Sequence, residues 1–390
     1  MRYMKSTVLV GLVVIMALLS VCPQSTTAQG DDSVGQEFQA MLGRIINNIE
    51  GVHNAVLLVE GPDFKWKGAV GLADPDAGIP MTTEHQYRSA STAKMITATL
   101  AVKLAEQGIL DLDAPLADYL PEDVIAGIHV YEGTDYSYEI TIRQALQHIT
   151  GVADYMFDDR DEDKFVTMVL ETDTDRLWDP VELINYVREN DYLTPHFAPG
   201  ESMKYTDTNY VLVGLAIEAA TGQPLHEVYR EQLFAPLGME HTYLEFREEA
   251  RPSVEESSLS HVFWGEIDYT PFRSISVDWA GGGIVATAED YNTFIRALAH
   301  DEIFTDPASR EAMLTWVSWP DMGEIAQYGL GVVFVSYEGI EFWGHDGVGE
   351  AFMFYWPEGD VTICGTLNQA WSTASAYDVV ITVIMTLMQA

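Results

Sequence analysis

The stretch YRSASTAKMITATL, from Tyr87 to Leu100, places one of the chain's seven lysines three residues after a serine, among small and apolar side chains. From Ser91 to Gly108 no proline or glycine interrupts the run before its end, and its charges are Lys94, Lys103 and Glu106. A helix apolar nearly all round is normally buried. Lys103 and Glu106 lie toward its end, within reach of solvent, whereas Lys94 sits one turn from its start. A buried ammonium without partners is costly, so Lys94 must be paired or lowered in pKa. Residues three apart share a helix face, which brings Ser91 Oγ and Lys94 Nζ together. Free backbone N–H groups at a helix N-terminus suit developing negative charge. Such a serine can become a nucleophile without a histidine beside it. Taken alone, the pair also fits an N-cap serine and a snorkelling lysine.

Other stretches decide between these readings. Ser91-Thr92-Ala93-Lys94 matches the S-x-x-K element of β-lactamases and penicillin-binding proteins. In order along the chain come GILDLDAPLADYLP, ITIRQALQHITGVADY, FAPGESMKYTDTNYVLVGLAIEAATG, LFAPLGMEHT, AGGGIVATAEDY, YGLG and GHDG. On these motifs the chain, from about Val52 to the C-terminus, resembles the large serine hydrolase family of class C β-lactamases, D-alanyl-D-alanine carboxypeptidases, D-aminopeptidases and β-lactamase-like esterases. The family's Y-x-N element reads Tyr205-Thr206-Asp207 here. The resemblance implies that Tyr205 shares proton transfer with Lys94, which needs a phenol whose pKa is pulled down by an adjacent cation. Asp207 departs from the usual asparagine: a carboxylate only accepts hydrogen bonds and brings charge. It is expected to hold Lys94 as ammonium and to prefer substrate N–H groups over carbonyls.

The third element, K-T-G or H-x-G in relatives, is His345-Asp346-Gly347. Gly347 lets a substrate backbone approach the strand edge. The resemblance implies an oxyanion hole at the backbone N–H groups of Ser91 and Val348, and a His345 that relays a proton or presents charge to the substrate. Asp346 stands where many relatives carry a hydroxyl that meets the substrate carboxylate. With Asp207 it disfavours anionic leaving ends, which weakens a β-lactamase reading and leaves D-amino-acid peptides, amides and esters. Trp279, before the glycine run 281–283, fits the wall of an acyl pocket and fits a core aromatic equally. There is no G-x-S-x-G elbow, and the ten histidines form no H-x-x-x-H pair, so neither an α/β-hydrolase nor a metal or other cofactor is expected. The expected function is acyl-enzyme hydrolysis, with the carboxypeptidase-like or D-peptidase branch ahead of the esterases; the alternative is a penicillin-binding sensor or non-hydrolytic scaffold.

Around these motifs, residues 35–50 carry Phe38, Met41, Leu42, Ile45, Ile46 and Ile49 at helical spacing. NAVLLVE and FKWKGAVGLAD read as strands about the turn at Gly61-Pro62-Asp63. The middle, about 109–284, is rich in helix signals, with an emphatic apolar helix from Thr208 to a stop at Gly222. QYGLGVVFV, GIEFWGHDG, EAFMFYW and DVTICGTL read as strands, and ASAYDVVITVIMTLMQA as a closing helix too short in its apolar core to cross a bilayer. The expected fold is α+β: an antiparallel sheet flanked by N- and C-terminal helices, made from about 35–108 and 285–390, with the mainly helical 109–284 inserted and a cleft between.

The first thirty residues have two early cations (Arg2, Lys5), an apolar run from Val8 to Val21 and a small-residue exit at Thr26-Thr27-Ala28. This is the layout of a signal peptide over residues 1–28, with the hydrolase domain over 29–390 and a secreted or periplasmic destination. Lipid anchoring at Cys22 is the lesser reading, because Val21 is bulky for such a cleavage site. Cleavage leaves Cys364 without a disulfide partner, a buried small hydrophobe in VTICGTL. A formal net charge of −40 repels phosphate backbones and anionic lipid, which excludes nucleic-acid and membrane-surface partners and leaves a peptide or small-molecule substrate. At 47% hydrophobic the chain is not disordered, and its dispersed acidity suggests a surface adapted to high salt.

Overall fold

The computed structural model describes residues 32–158, 166–171, 173–190, 194–370 and 372–390. The expected leader, with Cys22, and part of the variable stretch between Phe157 and Leu193 lie outside these residues. Helix α1 (Asp32–Asn48) leads into the hairpin of β1 (Asn54–Glu60) and β2 (Lys65–Asp74). The C-terminal part supplies β3 (Ala326–Tyr328), β4 (Val333–Tyr337), β5 (Ile340–Gly347), β6 (Ala351–Trp356) and β7 (Val361–Thr366). They join in one antiparallel sheet in the order β3-β4-β5-β6-β7-β1-β2, with the short strands Val317–Ser318 and Ile79–Pro80 at its edges. The two ends of the chain therefore meet at the β1–β7 ladder, where Leu58 lies opposite Cys364.

NAVLLVE is almost continuously apolar because both faces of its strand are covered. Side chains alternate across a strand. Ala55, Leu57 and Val59 pack in one cluster with Phe38, Met41 and Leu42 of α1 and with Val379 and Val383 of the C-terminal helix. Val56 and Leu58 face a second cluster, which holds Cys364, Met353 and the apolar side chains of the helical region. Each fully buried Leu or Val contributes roughly 1.5–3 kcal/mol. The terminal helices thus back the sheet, leaving its opposite face to carry the helical region and the cleft. This is the α+β arrangement expected from the sequence.

Three helices complete the frame. A 3-10 turn (Ala90–Thr92) enters α2 (Ala93–Glu106), which is buried from Ala93 to Val102; the predicted single helix from Ser91 is a tight turn followed by a helix. Helix α3 (Asp207–Thr221) ends at Gly222 in the left-handed region (φ 68°), as the glycine stop predicts. Helix α4 (Ala376–Gln389) closes the chain. A one-turn helix, Trp279–Gly282, wedges between α2 and α3: Thr97 Oγ1 donates to Ala280 O at 2.6 Å, and a Cβ on Gly214 would lie 2.7 Å from Ala280 Cβ. The insertion also contributes Tyr243–Leu244 to a small sheet with Gln86–Arg88 and Ile284–Thr287. Among the described residues no helix is long and apolar enough to cross a membrane.

Candidate active site

Ser91 is half-buried in the 3-10 turn, and Ala90 before it takes a left-handed φ of 44°. Lys94, one turn on, is 0% exposed. Its Nζ donates to Ser91 Oγ (3.0 Å), Asp207 Oδ1 (2.5 Å) and Gly281 O (3.1 Å). These three acceptors use all three protons of an ammonium. The lysine is thus paired rather than snorkelling, and its ionic partner is Asp207, the first residue of α3. Gly281 keeps this junction close, since a Cβ there would lie 3.4 Å from Nζ and 3.3 Å from Asp207 Oδ1. The second carboxylate oxygen of Asp207 is buried without a hydrogen-bond partner.

Tyr205 lies against this pair, its ring centroid 5.0 Å from Nζ. Its hydroxyl is out of water and has no formed hydrogen bond. Ser91 is near enough to favour the phenolate, but burial first, and the charge of Asp207 second, push the phenol well above its ordinary range. This corrects the expected lowering by an adjacent cation: burial of the phenol outweighs it, and the carboxylate 2.5 Å from Nζ adds to the rise. The resting tyrosine is neutral.

An aromatic box fixes Tyr205. It stacks on Trp319 (5.8 Å, 10°) and lies 4.3 Å from the His148 ring. His148 clamps the same turn twice, accepting from Lys204 N through its carbonyl (2.9 Å) and from Thr206 N through Nδ1 (3.2 Å). Burial, and then the charge of Lys94, hold His148 well below its ordinary range, so the ring is neutral.

The third element lies at the end of β5. His345 Nδ1 faces the Asp346 carbonyl at 2.5 Å, and Nε2 faces Tyr328 Oη at 3.0 Å. A carbonyl accepts, so Nδ1 carries the proton and Tyr328 donates to Nε2. Burial, with the charge of Lys94, lowers the pKa of His345 to about 3. A neutral ring with both nitrogens engaged presents no charge to a substrate, which corrects that expectation for His345. Asp346 accepts from Tyr377 Oη on α4 at 2.6 Å, and its charge also bears on Tyr205. Gly347 runs directly beneath the nucleophile: a Cβ there would be 2.7 Å from Ser91 N and 2.8 Å from Ser89 O. Val348 opens the turn between Gly347 and Ala351, one residue beyond the glycine packed on Ser91 N. The Trp279 ring packs in the core against Gly214; the neighbouring Asp278 lines the cavity beside Ala90 instead.

The structure thus brings Ser91, Lys94, Tyr205, Asp207, His345 and Gly347 to one cleft, ties the Asp346 carboxyl to Tyr377 and packs the Trp279 ring in the core. Sequence reasoning passed over His148, which lies within ITIRQALQHITGVADY, and Tyr328, which opens the YGLG motif. It also passed over Asp154, which is 1% exposed, accepts from Asp207 N at 3.1 Å and is pushed well above the carboxylate range by burial and the charge of Asp207. Among the described residues no group of His, Cys, Asp or Glu is placed to hold a metal ion.

Comparison with known proteins points the same way. Penicillin-binding protein 4 of Amycolatopsis lactamdurans is 28% identical over 298 residues, covering 72% of this chain and 70% of the relative. Penicillin-binding protein 4* of Bacillus subtilis is 27% identical over 294 residues, and the match spans 59% of that longer protein. A D-stereospecific amidohydrolase from Streptomyces superposes with a TM-score of 0.73 at 26% identity, over 90% of this chain and 98% of that one. A family model described as Beta-lactamase matches residues 46–380, which span every residue of the cleft described above, and the chain accordingly belongs to the β-lactamase family of serine hydrolases.

Proposed function

We propose that this protein is an exported serine hydrolase that forms an acyl-enzyme on Ser91 and cleaves D-amino-acid peptides, amides or small esters whose leaving end is uncharged. The observation that carries this reading is the buried ammonium of Lys94, held between Ser91 Oγ and Asp207 Oδ1. The resting site, with Lys94 saturated and Tyr205 neutral, must release one proton before attack. The vacancy on the lysine–tyrosine pair then takes the Ser91 proton as Oγ bonds to the carbonyl carbon. Ser91 N–H and Val348 N–H stabilise the oxyanion. As the C–N or C–O bond breaks, the same pair returns the proton to the leaving atom, and water repeats the sequence to free Ser91.

The neutral His345 and Asp346, tied to Tyr377, offer no cation to a terminal carboxylate, which disfavours penicillins and carboxypeptidase substrates. Export rests on the layout of residues 1–28. The test is intact-mass spectrometry together with steady-state turnover of a D-alanyl-D-alanine peptide, D-alanine amide, nitrocefin and p-nitrophenyl acetate, with Ser91→Ala as control. The expected result is turnover of the amide or ester, faster than nitrocefin and lost in the variant. A stable penicillin adduct without turnover replaces the enzyme by a sensor, and no reaction at all replaces it by a scaffold.

A further inference from the structure

The connection between β5 and β6 carries one of the two N–H groups assigned to the oxyanion hole, that of Val348, and what holds it lies in the C-terminal helix. Gly347 still pairs with Ala351, so Val348, Gly349 and Glu350 form a three-residue link. Gly349 and Glu350 both take left-handed φ values, 89° and 54°. Glycine adopts that region freely, whereas a glutamate persists there only where its surroundings fix it. On its inner side the link has no slack, because a Cβ on Gly347 would lie 2.7 Å from Ser91 N. A displacement of the link therefore reaches the nucleophile's turn as well as Val348.

Two neighbouring residues in the first turn of α4 do the fixing. Tyr377 Oη donates to Asp346 Oδ1 at 2.6 Å, on one side of the link, and Ala376 N donates to Glu350 Oε2 at 2.7 Å, on the other. Ala376 N is one of the groups that a helix start leaves without an internal partner, and a carboxylate there also meets the favourable end of the dipole. The helix end is itself well anchored. Ser375 caps it by exchanging hydrogen bonds with Asp378, and Val379, Val380, Val383 and Ile384 are buried in the cluster that backs the sheet. Two contacts from the end of β7 complete the hold: Leu367 N donates to Glu350 O (3.2 Å) and Thr366 Oγ1 to Gly349 O (3.1 Å).

We propose that Tyr377 and Glu350 are positioning residues for the oxyanion hole: they clamp the link between β5 and β6 to the start of α4 and so hold Val348 N–H in register with Ser91 N–H. The inference rests on the hydrolase reading above and names what sets the geometry of its transition-state site. Helix α4, which backs the sheet on the face away from the cleft, thereby controls the rate without contributing a reacting group. Acylation and deacylation both pass through an oxyanion, so a loosened clamp slows both steps. It lowers kcat and leaves KM nearly unchanged, because the lost interaction is made only in the transition state.

The experiment measures kcat and KM for p-nitrophenyl acetate, together with the melting temperature, in Tyr377→Phe, Glu350→Ala, Glu350→Gln, the double variant Tyr377→Phe/Glu350→Ala, and Val383→Ala. The last weakens the seat of α4 on the sheet without touching the link. The expected kcat is about tenfold lower in Tyr377→Phe and in Glu350→Ala and about 10²-fold lower in the double variant, the loss that a misplacement near 1 Å brings, with KM within about twofold of the parent. Glu350→Gln keeps a side-chain oxygen for Ala376 N and returns kcat to within about threefold of the parent. Val383→Ala lowers the melting temperature and keeps the parent kcat. A folded double variant with kcat within about twofold of the parent overturns the proposal. So does an equal loss of kcat in Val383→Ala, which makes the effect one of stability alone. If the double variant does not fold, Tyr377→Phe, which removes a single oxygen, decides by the same criterion. An unaltered protein that gives neither turnover nor a Ser91 adduct removes the hydrolase reading, and this inference with it; turnover indifferent to the clamp removes the inference alone.

Discussion

Replacing Gly347 by alanine tests the assignment of the oxyanion hole, because the backbone there approaches the nucleophile so closely. The added Cβ would lie 2.7 Å from Ser91 N and 2.8 Å from both Ala90 Cβ and Ser89 O. Ordinary contact begins near 3.4 Å, so the strand end and the serine turn must part by about 0.7 Å. Gly347 pairs with Ala351 in the β5–β6 ladder and cannot simply swing out, and the turn is held by Ser89 Oγ on Gly282 O (3.0 Å). Overpacking of this kind costs about 1–3 kcal/mol of stability. The larger effect falls on chemistry: a misplacement near 1 Å loses about 10²-fold in rate, and loss of one oxyanion donor about 10²–10³-fold. The expected outcome is a kcat for p-nitrophenyl acetate reduced by 10- to 10³-fold, equivalent to about 1.4–4 kcal/mol of barrier, with KM changed much less. Circular dichroism and a melting curve establish that the variant is folded. A folded Gly347→Ala enzyme with kcat within about twofold of the parent refutes the reasoning, since the Ser91 N–H then has no part in binding the oxyanion.

Asp207→Asn keeps an acceptor for Nζ but removes the charge that, after burial, raises the Tyr205 phenol; the proton the lysine–tyrosine pair must release before attack leaves more easily, and the acid limb of kcat/KM moves to lower pH by at least about one unit, or about 1.4 kcal/mol. A limb that stays put or moves up contradicts the role given to Asp207. His345→Gln lowers the rate without moving that limb, because a ring whose pKa is about 3 does not titrate between pH 5 and 8; a shifted limb assigns the titration to His345 after all. For Asp278 the folded pKa of about 7 lies above the ordinary 3.8 of the unfolded chain, so its burial costs nothing below pH 4, progressively more up to 7, and a constant amount above. Asp278→Asn therefore raises the melting temperature at pH 8 and leaves it unchanged near pH 4; an equal gain at both values contradicts the raised pKa.

The sheet was legible because its signals are local. A buried strand such as NAVLLVE, a hairpin turn and a helix closed by Gly222 each announce themselves within about ten residues. The Ser91–Lys94 pair was legible for the same reason, since one helical turn sets its geometry. What escaped depends on groups that meet across the fold. The expected Tyr205 pKa was wrong because it left out the burial of the phenol, which outweighs the cation, and the charge of Asp207, which adds to the rise. The charge role of His345 failed because a strand can bury an imidazole wherever Tyr328 supplies a donor, and nothing in the spacing of these residues reveals that contact.

Trp279 and Asp278 show the same limit at its finest scale. The sequence leaves Trp279 equally open as a pocket wall or a core aromatic, and the left-handed φ of 28° there turns the chain. That turn sends the ring into the space left by Gly214 on α3 and leaves the carboxylate beside it at the cavity. A one-residue change of direction thus decides whether the cavity wall there is apolar or anionic. Gly214→Ala, by placing a Cβ 2.7 Å from both the Trp279 ring and Ala280 Cβ, should push the wedge helix away from α3 and shift Asp278 with it. The same wedge helix supplies Gly281 O to Lys94 Nζ (3.1 Å), so kcat for p-nitrophenyl acetate falls at least about tenfold in Gly214→Ala even though the substitution touches neither substrate nor nucleophile. A folded variant that keeps the parent kcat would leave the turn at Trp279 as a packing feature alone.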